Sequence, residues 1–279
     1  MDLPAITARI PIDDRGLAYG DGLFETVLLR DGKPLLWAQH KARLRRGCRV
    51  LGMPAPEEAR LDALTEHAGA GLKVLKLIVT RGSGGRGYSA PMPSAPRLLW
   101  QITDFVPQVQ YWKEGVRVRL CYLRLGIQPA LAGLKHLNRL ENVLARNEWH
   151  DPDVVEGLLC DSQGKLVEAT SMNLFWYRHG VWETPRLDGC GVAGTLRAAL
   201  MQRLPITEVT LGPEVLQEAE SVWLGNSVQG LWPVVRLDDS EGVRQRSWVL
   251  KASRRTLQRE AHALLGYPAI GEEGECCDW

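Results

Sequence analysis

The apolar and polar positions of this chain change period several times along its length. Residues 22–29 (GLFETVLL) are dense in strand formers, and Arg30-Asp31-Gly32-Lys33 after them carries the Asp-Gly signature of a tight hairpin. That turn predicts a partner strand over residues 34–37. In residues 39–51 the apolar positions Leu44, Cys48 and Leu51 recur near the helical period. Residues 72–80 (LKVLKLIVT) and 97–103 read as further strands, with the Gly-rich RGSGGRG between them. Residues 105–115 contain Pro107 and little periodicity, as a linker would.

The second half opens with a strand over 116–123 and an irregular Gly/Pro stretch reaching Gly133. A helix is expected over 137–149, strands over 154–160, 166–167 and 173–177, and a helix over 194–204 after a Gly-rich loop. A strand over 221–224 and a last helix over 247–265 complete the reading. Strands and helices mixed in both halves indicate an α/β or α+β fold of two domains, the N-terminal one smaller. The boundaries expected are 1–108 for the first domain, 109–113 for a linker and 114–267 for the second. The last segment, 268–279 (PAIGEEGECCDW), reads as a disordered tail.

Composition narrows the function classes. The chain has 279 residues, 45% hydrophobic and 24% charged, with a formal net charge of +1. So even a charge balance gives no long-range field for nucleic acid or an acidic membrane, and any bound anion needs a local site. No apolar run approaches the length of a membrane span, and the first residues lack the basic-then-apolar order of a secretory leader. A cytoplasmic protein is therefore expected. The six cysteines form no CxxC pair and the histidines no HExxH or HxxxH group, so neither a zinc site nor a disulfide framework is expected.

Periodicity alone treats the polar candidates blandly. On a helix Leu134, Leu137, Leu140 and Leu144 would share one face, while Lys135, Arg139, Asn142 and Arg146 would form a solvated stripe on another. Residues 189–197 (GCGVAGTLR) should present free backbone N–H groups at a helix start, which suits an anion, though a plain cap would look the same. The loop RGSGGRGY (81–88) lacks the GxGxxG spacing and the strand-to-helix setting of a nucleotide site.

Four strings together change that picture: DRGLAYGDGLFET (14–26), TRGSGGRGY (80–88), LKHLNRLENVL (134–144) and VEATSMNLF (167–175). Over roughly residues 10–235 the chain resembles the class IV aminotransferase-like enzymes that use pyridoxal 5'-phosphate (PLP). Within that class it is most similar to the lyases that release pyruvate from 4-amino-4-deoxychorismate to leave p-aminobenzoate for folate. The resemblance implies a small-molecule substrate, and a homodimer with its cofactor site near the subunit interface. By position, Lys135 matches the lysine that carries PLP as a Schiff base and then serves as general base and acid. Glu168 matches the carboxylate paired with the pyridine nitrogen, and Arg43 the arginine on the phosphate.

The same resemblance gives the phosphate the N–H groups of Thr195 and Leu196, with Asn226 and Ser227 as the second part of the cup. Arg86 and Tyr88 would face the substrate carboxylate, with Thr26, Arg139 and Asn173 lining the pocket. Asn173 is also the candidate for the cofactor's phenolic oxygen. Branched-chain transaminases tend to have a tyrosine five residues after the lysine, where this chain has Leu140. That departure favours the lyase over an aminotransferase of D- or branched-chain amino acids, which is the alternative.

Overall fold

A computed structural model describes residues 10–270. In chain order it contains α1 (Arg15–Tyr19), β1 (Gly22–Arg30), β2 (Lys33–Pro34), α2 (Trp37–Val50), α3 (Glu58–Ala63), β3 (Leu72–Thr80), β4 (Arg97–Asp104), α4 (Val109–Glu114) and β5 (Val116–Leu125). There follow α5 (Leu140–Arg146), β6 (Val154–Asp161), β7 (Leu166–Ala169), β8 (Asn173–Arg178), β9 (Val181–Pro185) and α6 (Thr195–Arg203). The chain then forms β10 (Ile206–Val209), β11 (Ser221–Asn226), β12 (Gly230–Asp238), β13 (Arg244–Ser247) and α7 (Thr256–Leu265).

The strands make two sheets. The smaller is antiparallel in the order β2-β1-β3-β4, and the larger runs β10-β9-β8-β11-β12-β5-β6-β7, with β13 on β12. Three pairs of the larger sheet are parallel, β10 with β9, β12 with β5 and β5 with β6. This is the mixed α/β architecture with a smaller N-terminal and a larger C-terminal part that the pattern predicts. Strand β1 shows how alternation builds the first core. Leu23, Val27 and Leu29 face α2, where Leu44 and Cys48 close the cluster. Phe24 and Thr26 take the opposite face and look toward the larger sheet.

Several elements differ from expectation, each for a packing reason. The partner strand of the hairpin is only Lys33–Pro34, because Trp37 already begins α2 and donates its indole N–H to Asp62 at 2.5 Å. The expected linker 109–113 lies inside α4, whose Trp112 is fully buried and donates to the Gln229 carbonyl at 2.6 Å. The helix expected over 137–149 is shorter, Leu140–Arg146. The last helix begins at Thr256 rather than 247, since Arg244–Ser247 pairs with β12. Residues 268–270 of the expected tail are described, and Ile270 is only 3% exposed in the larger core. Residues 271–279 lie outside the described residues. Strands β9, β10, β12 and β13 and helices α1 and α3 were not anticipated. Among the described residues, no helix is long and apolar enough to cross a membrane, and no cluster of His, Cys, Asp and Glu could hold a metal ion.

Candidate active site

Lys135 sits on an extended strap between the two sheets. The amide of Phe24 donates to the Lys135 carbonyl at 2.9 Å and that of Leu137 to Gly22 at 3.0 Å. On the other side, Gly133 exchanges hydrogen bonds with the turn before α6, its N–H donating to Gly191 at 2.9 Å and its carbonyl accepting from Ala193 at 3.2 Å. The strap thus behaves as a short strand rather than the start of a helix. It aims the lysine into a cavity of about 430 Å³, a size ordinary for a small-molecule site.

The Lys135 amine lies 4.4 Å from the centroid of the Phe24 ring. Burial above all, then the nearby Arg43 cation, pushes its pKa down to about 8 against the pull of Glu25 and Glu168. Glu168, at the end of β7, lines the same cavity and is 4% exposed. Its Oε2 accepts the Val192 N–H at 2.9 Å, and burial raises its pKa despite that bond and the positive charges of Arg139 and Lys135. A half-buried amine and a buried carboxylate facing one space are the pairing expected of chemistry rather than of packing.

The far end of the cavity suits an anion. Helix α6 begins at Thr195 with no side-chain cap, and its first intrahelical bond runs from Ala198 to Gly194. The N–H groups of the first turn are therefore free of such a cap. Gly194 lines the cavity, and a Cβ there would stand 1.9 Å from Asn173 Oδ1, so only glycine lets the helix start this close to β8. Arg43 reaches in from α2, held by both oxygens of Glu25 at 2.8 and 2.5 Å and by the Ala193 carbonyl at 3.1 Å. Asn226 and Ser227 complete this end. The Asn226 side chain accepts the N–H groups of Val228 and Gln229 at 2.9 and 2.8 Å and so fixes the turn after β11.

Of the residues singled out from sequence, Lys135, Arg43, Glu168, Asn173, Thr195, Asn226, Ser227, Thr26 and Arg139 all line this one cavity. Asn173 spends its amide on the Val192 carbonyl at 2.9 Å, bracing the turn before α6. Arg139 caps no stripe. It wraps the strap, donating to the carbonyls of His136 and Leu134 at 3.0 and 2.9 Å. The Leu196 side chain is buried in the larger core, so only its backbone N–H is at the helix start.

Arg86 and Tyr88 are not brought to the cavity within one chain. Arg15 ties their loop outward through the carbonyls of Gly87, Tyr88 and Ser89, and Tyr88 is 89% exposed against Tyr19. Sequence reasoning missed Glu25, His40, Asn142 and Gln229. Gln229 lines the cavity, and its Oε1 is buried without a partner among the described residues.

Known proteins resemble this chain over most of its length. The profile of the amino-transferase class IV family matches residues 22–237. An aminodeoxychorismate lyase of Vibrio harveyi is 34% identical, over 81% of this chain and 86% of that protein. A D-alanine aminotransferase of Listeria monocytogenes is 26% identical, with 83% of each chain covered. Among solved structures, a 4-amino-4-deoxychorismate lyase from Pseudomonas aeruginosa superposes with a TM-score of 0.85 at 42% identity, covering 93% of this chain and 96% of that one.

Proposed function

The chain belongs to the amino-transferase class IV family, and on that footing we propose that it is a PLP-dependent carbon–oxygen lyase converting 4-amino-4-deoxychorismate to p-aminobenzoate and pyruvate. The observation that carries the reading is Lys135, an amine whose pKa is lowered to about 8, in the same cavity as the buried carboxylate of Glu168. Similarity to lyases of that name, at 42% and 34% identity, supports this chemistry over transamination.

The residues fit PLP at each of its three functional ends. Lys135 would hold the aldehyde carbon, and Glu168 the pyridine nitrogen. Arg43, the N–H groups of Thr195 and Leu196, and the Asn226–Ser227 turn would hold the phosphate. PLP bound there supplies an aldehyde for an amine and an electron sink for the carbon beside it. Lys135, once free, would take the proton from C4 of the substrate ring. As that electron pair enters the ring, the C3–O bond breaks, and the enolpyruvyl group leaves to gain a proton and become pyruvate. The ring left behind is aromatic, which drives the step. Atoms balance with no water consumed. Thr26 and Arg139 would line the substrate side, and Arg139 offers N–H groups not used by the strap.

The exposed apolar row Leu140, Val143 and Leu144 on α5 supports a homodimer, since a second copy would cover it. Free Cys48, Cys121, Cys160 and Cys190 suit a reducing, cytoplasmic setting. We place the domain boundary at α4, between the two sheets. The test runs two assays side by side: pyruvate release from 4-amino-4-deoxychorismate, and amino-group exchange between D- or branched-chain amino acids and keto acids. Pyruvate release that is faster than any exchange supports the lyase. Exchange without pyruvate release would replace it by an aminotransferase.

A further inference from the structure

Behind Arg43 lies a chain of buried polar groups that the reading above does not use. Glu25 is 1% exposed and stands on the face of β1 that otherwise carries Leu23, Val27 and Leu29 into the core. A carboxylate there needs partners that offset its desolvation. It has two. Arg43 grips it with a fork, Nε to Oε1 at 2.8 Å and Nη2 to Oε2 at 2.5 Å, and His40 Nδ1 lies 2.6 Å from Oε2. His40 is itself fully buried, and its Nε2 lies 3.3 Å from the Thr195 hydroxyl at the first residue of α6.

The proton positions follow from the acceptors. Burial above all, helped by Arg43 and Lys135, pushes the His40 pKa down against the attraction of Glu25, which favours the neutral ring. Burial raises the Glu25 pKa, but the Arg43 cation and its fork, with the hydrogen bond from His40, outweigh it and lower the pKa to about 2, so Glu25 is held ionised. It can only accept, so His40 carries its proton on Nδ1. Nε2 is then a lone pair, and the Thr195 hydroxyl donates to it. Thr195 therefore has only its backbone N–H left as a donor toward the cavity. Arg43, with three N–H groups committed to Glu25 and Ala193, keeps one on each terminal nitrogen for an anion. Fixing a guanidinium before the ligand arrives removes rotamer entropy from the cost of binding.

We propose that Glu25 and His40 are positioning residues for the phosphate end of the cavity: Glu25 clamps the Arg43 fork and the His40 ring, and His40 pins the start of α6 through Thr195. The inference rests on the reading of the cavity as a PLP site. It assigns a task to two residues on opposite sides of the Asp-Gly hairpin, neither of which lines the cavity.

The test compares the affinity of the cofactor-free protein for PLP and for pyridoxal, which has the same ring and aldehyde but no phosphate. Glu25→Gln should weaken PLP by about tenfold or more, the scale of a lost charge-assisted hydrogen bond. Pyridoxal should change by less than about twofold, within the additivity expected of uncoupled sites. His40→Asn keeps a donor for Glu25 but cannot reach Thr195, and should give a smaller loss with the same preference. In an Arg43→Gln background, Glu25→Gln should lose most of its effect on PLP, keeping only the smaller part that runs through His40 and Thr195.

Equal weakening of both ligands by Glu25→Gln and His40→Asn would overturn the inference in favour of a plain folding role. So would unchanged PLP affinity in both, or the full Glu25→Gln effect persisting without Arg43. Should Glu25→Gln fail to fold, His40→Asn and Thr195→Val carry the same comparison. A wild-type protein that prefers PLP no more than pyridoxal refutes the phosphate reading itself, a result separable from any variant's behaviour.

Discussion

Protonation of Lys135 offers a direct reading of the cavity's electrostatics. Its pKa is lowered from 10.5 to about 8, by burial first and by Arg43 second. At pH 7 such an amine is neutral about one-tenth of the time, against roughly one part in three thousand for an ordinary lysine. The reactive fraction is thus larger by about 300-fold. Only the neutral amine attacks an aldehyde, so the rate of PLP capture by cofactor-free protein should climb about 50-fold from pH 6 to pH 8 and then level off. Rapid mixing followed by visible absorbance, from pH 6 to 10, reads this directly. The same series with a free lysine amide corrects for protonations of PLP itself.

Arg43→Gln should move the bend upward, because it removes a cation and leaves Glu25 uncompensated. A corrected rate still rising tenfold per unit past pH 9.5 would refute the argument. The linkage has a matching sign. The folded pKa lies below the unfolded one, so stability is penalised below pH 8 and recovers as pH rises toward 10.5.

Two further outcomes test the framework around the lysine. Gly194→Ala would set a Cβ 1.9 Å from Asn173 Oδ1, and should cost about 1–3 kcal/mol in urea melts with PLP affinity falling in parallel. Asn173→Ala in the same chain should recover part of that loss, while Gly189→Ala, where the new Cβ meets Ile127 at an ordinary 3.5 Å, should be near neutral. Strict additivity of the Gly194 and Asn173 changes would contradict the steric account. For the α5 surface, sedimentation should give twice the chain mass, and Leu144→Asp should shift it toward a monomer. A wild-type mass of one chain would remove the dimer.

Local pattern was a good guide to the long strands of the smaller sheet. The alternation in 72–80 reproduces β3 residue for residue, and β1 runs one residue past its predicted end. The pattern misled where long-range contacts decide. The leucines around Lys135 have helical spacing, yet the strap is stretched between Gly22 and the turn before α6, and Leu140 and Leu144 end up 75% and 59% exposed. Trp112 turned an apparent linker into core. Most of the residues that line the cavity were singled out only because four motifs resemble a known class, since nothing in the spacing of Lys135 sets it apart. Glu25 did leave a signal: a lone carboxylate among Leu23, Val27 and Leu29, followed by His40 and Arg43 one turn apart on the facing helix. Gln229 left none, because its orphaned oxygen depends on the turn that Asn226 builds.

The central claim is that PLP is carried on Lys135. Borohydride reduction of the PLP-loaded protein, followed by digestion and mass spectrometry, tests it most directly. The account predicts one stable label on the peptide containing Lys135, and none in Lys135→Ala. A label on any other lysine of the wild-type chain, with Lys135 unmodified, would contradict it.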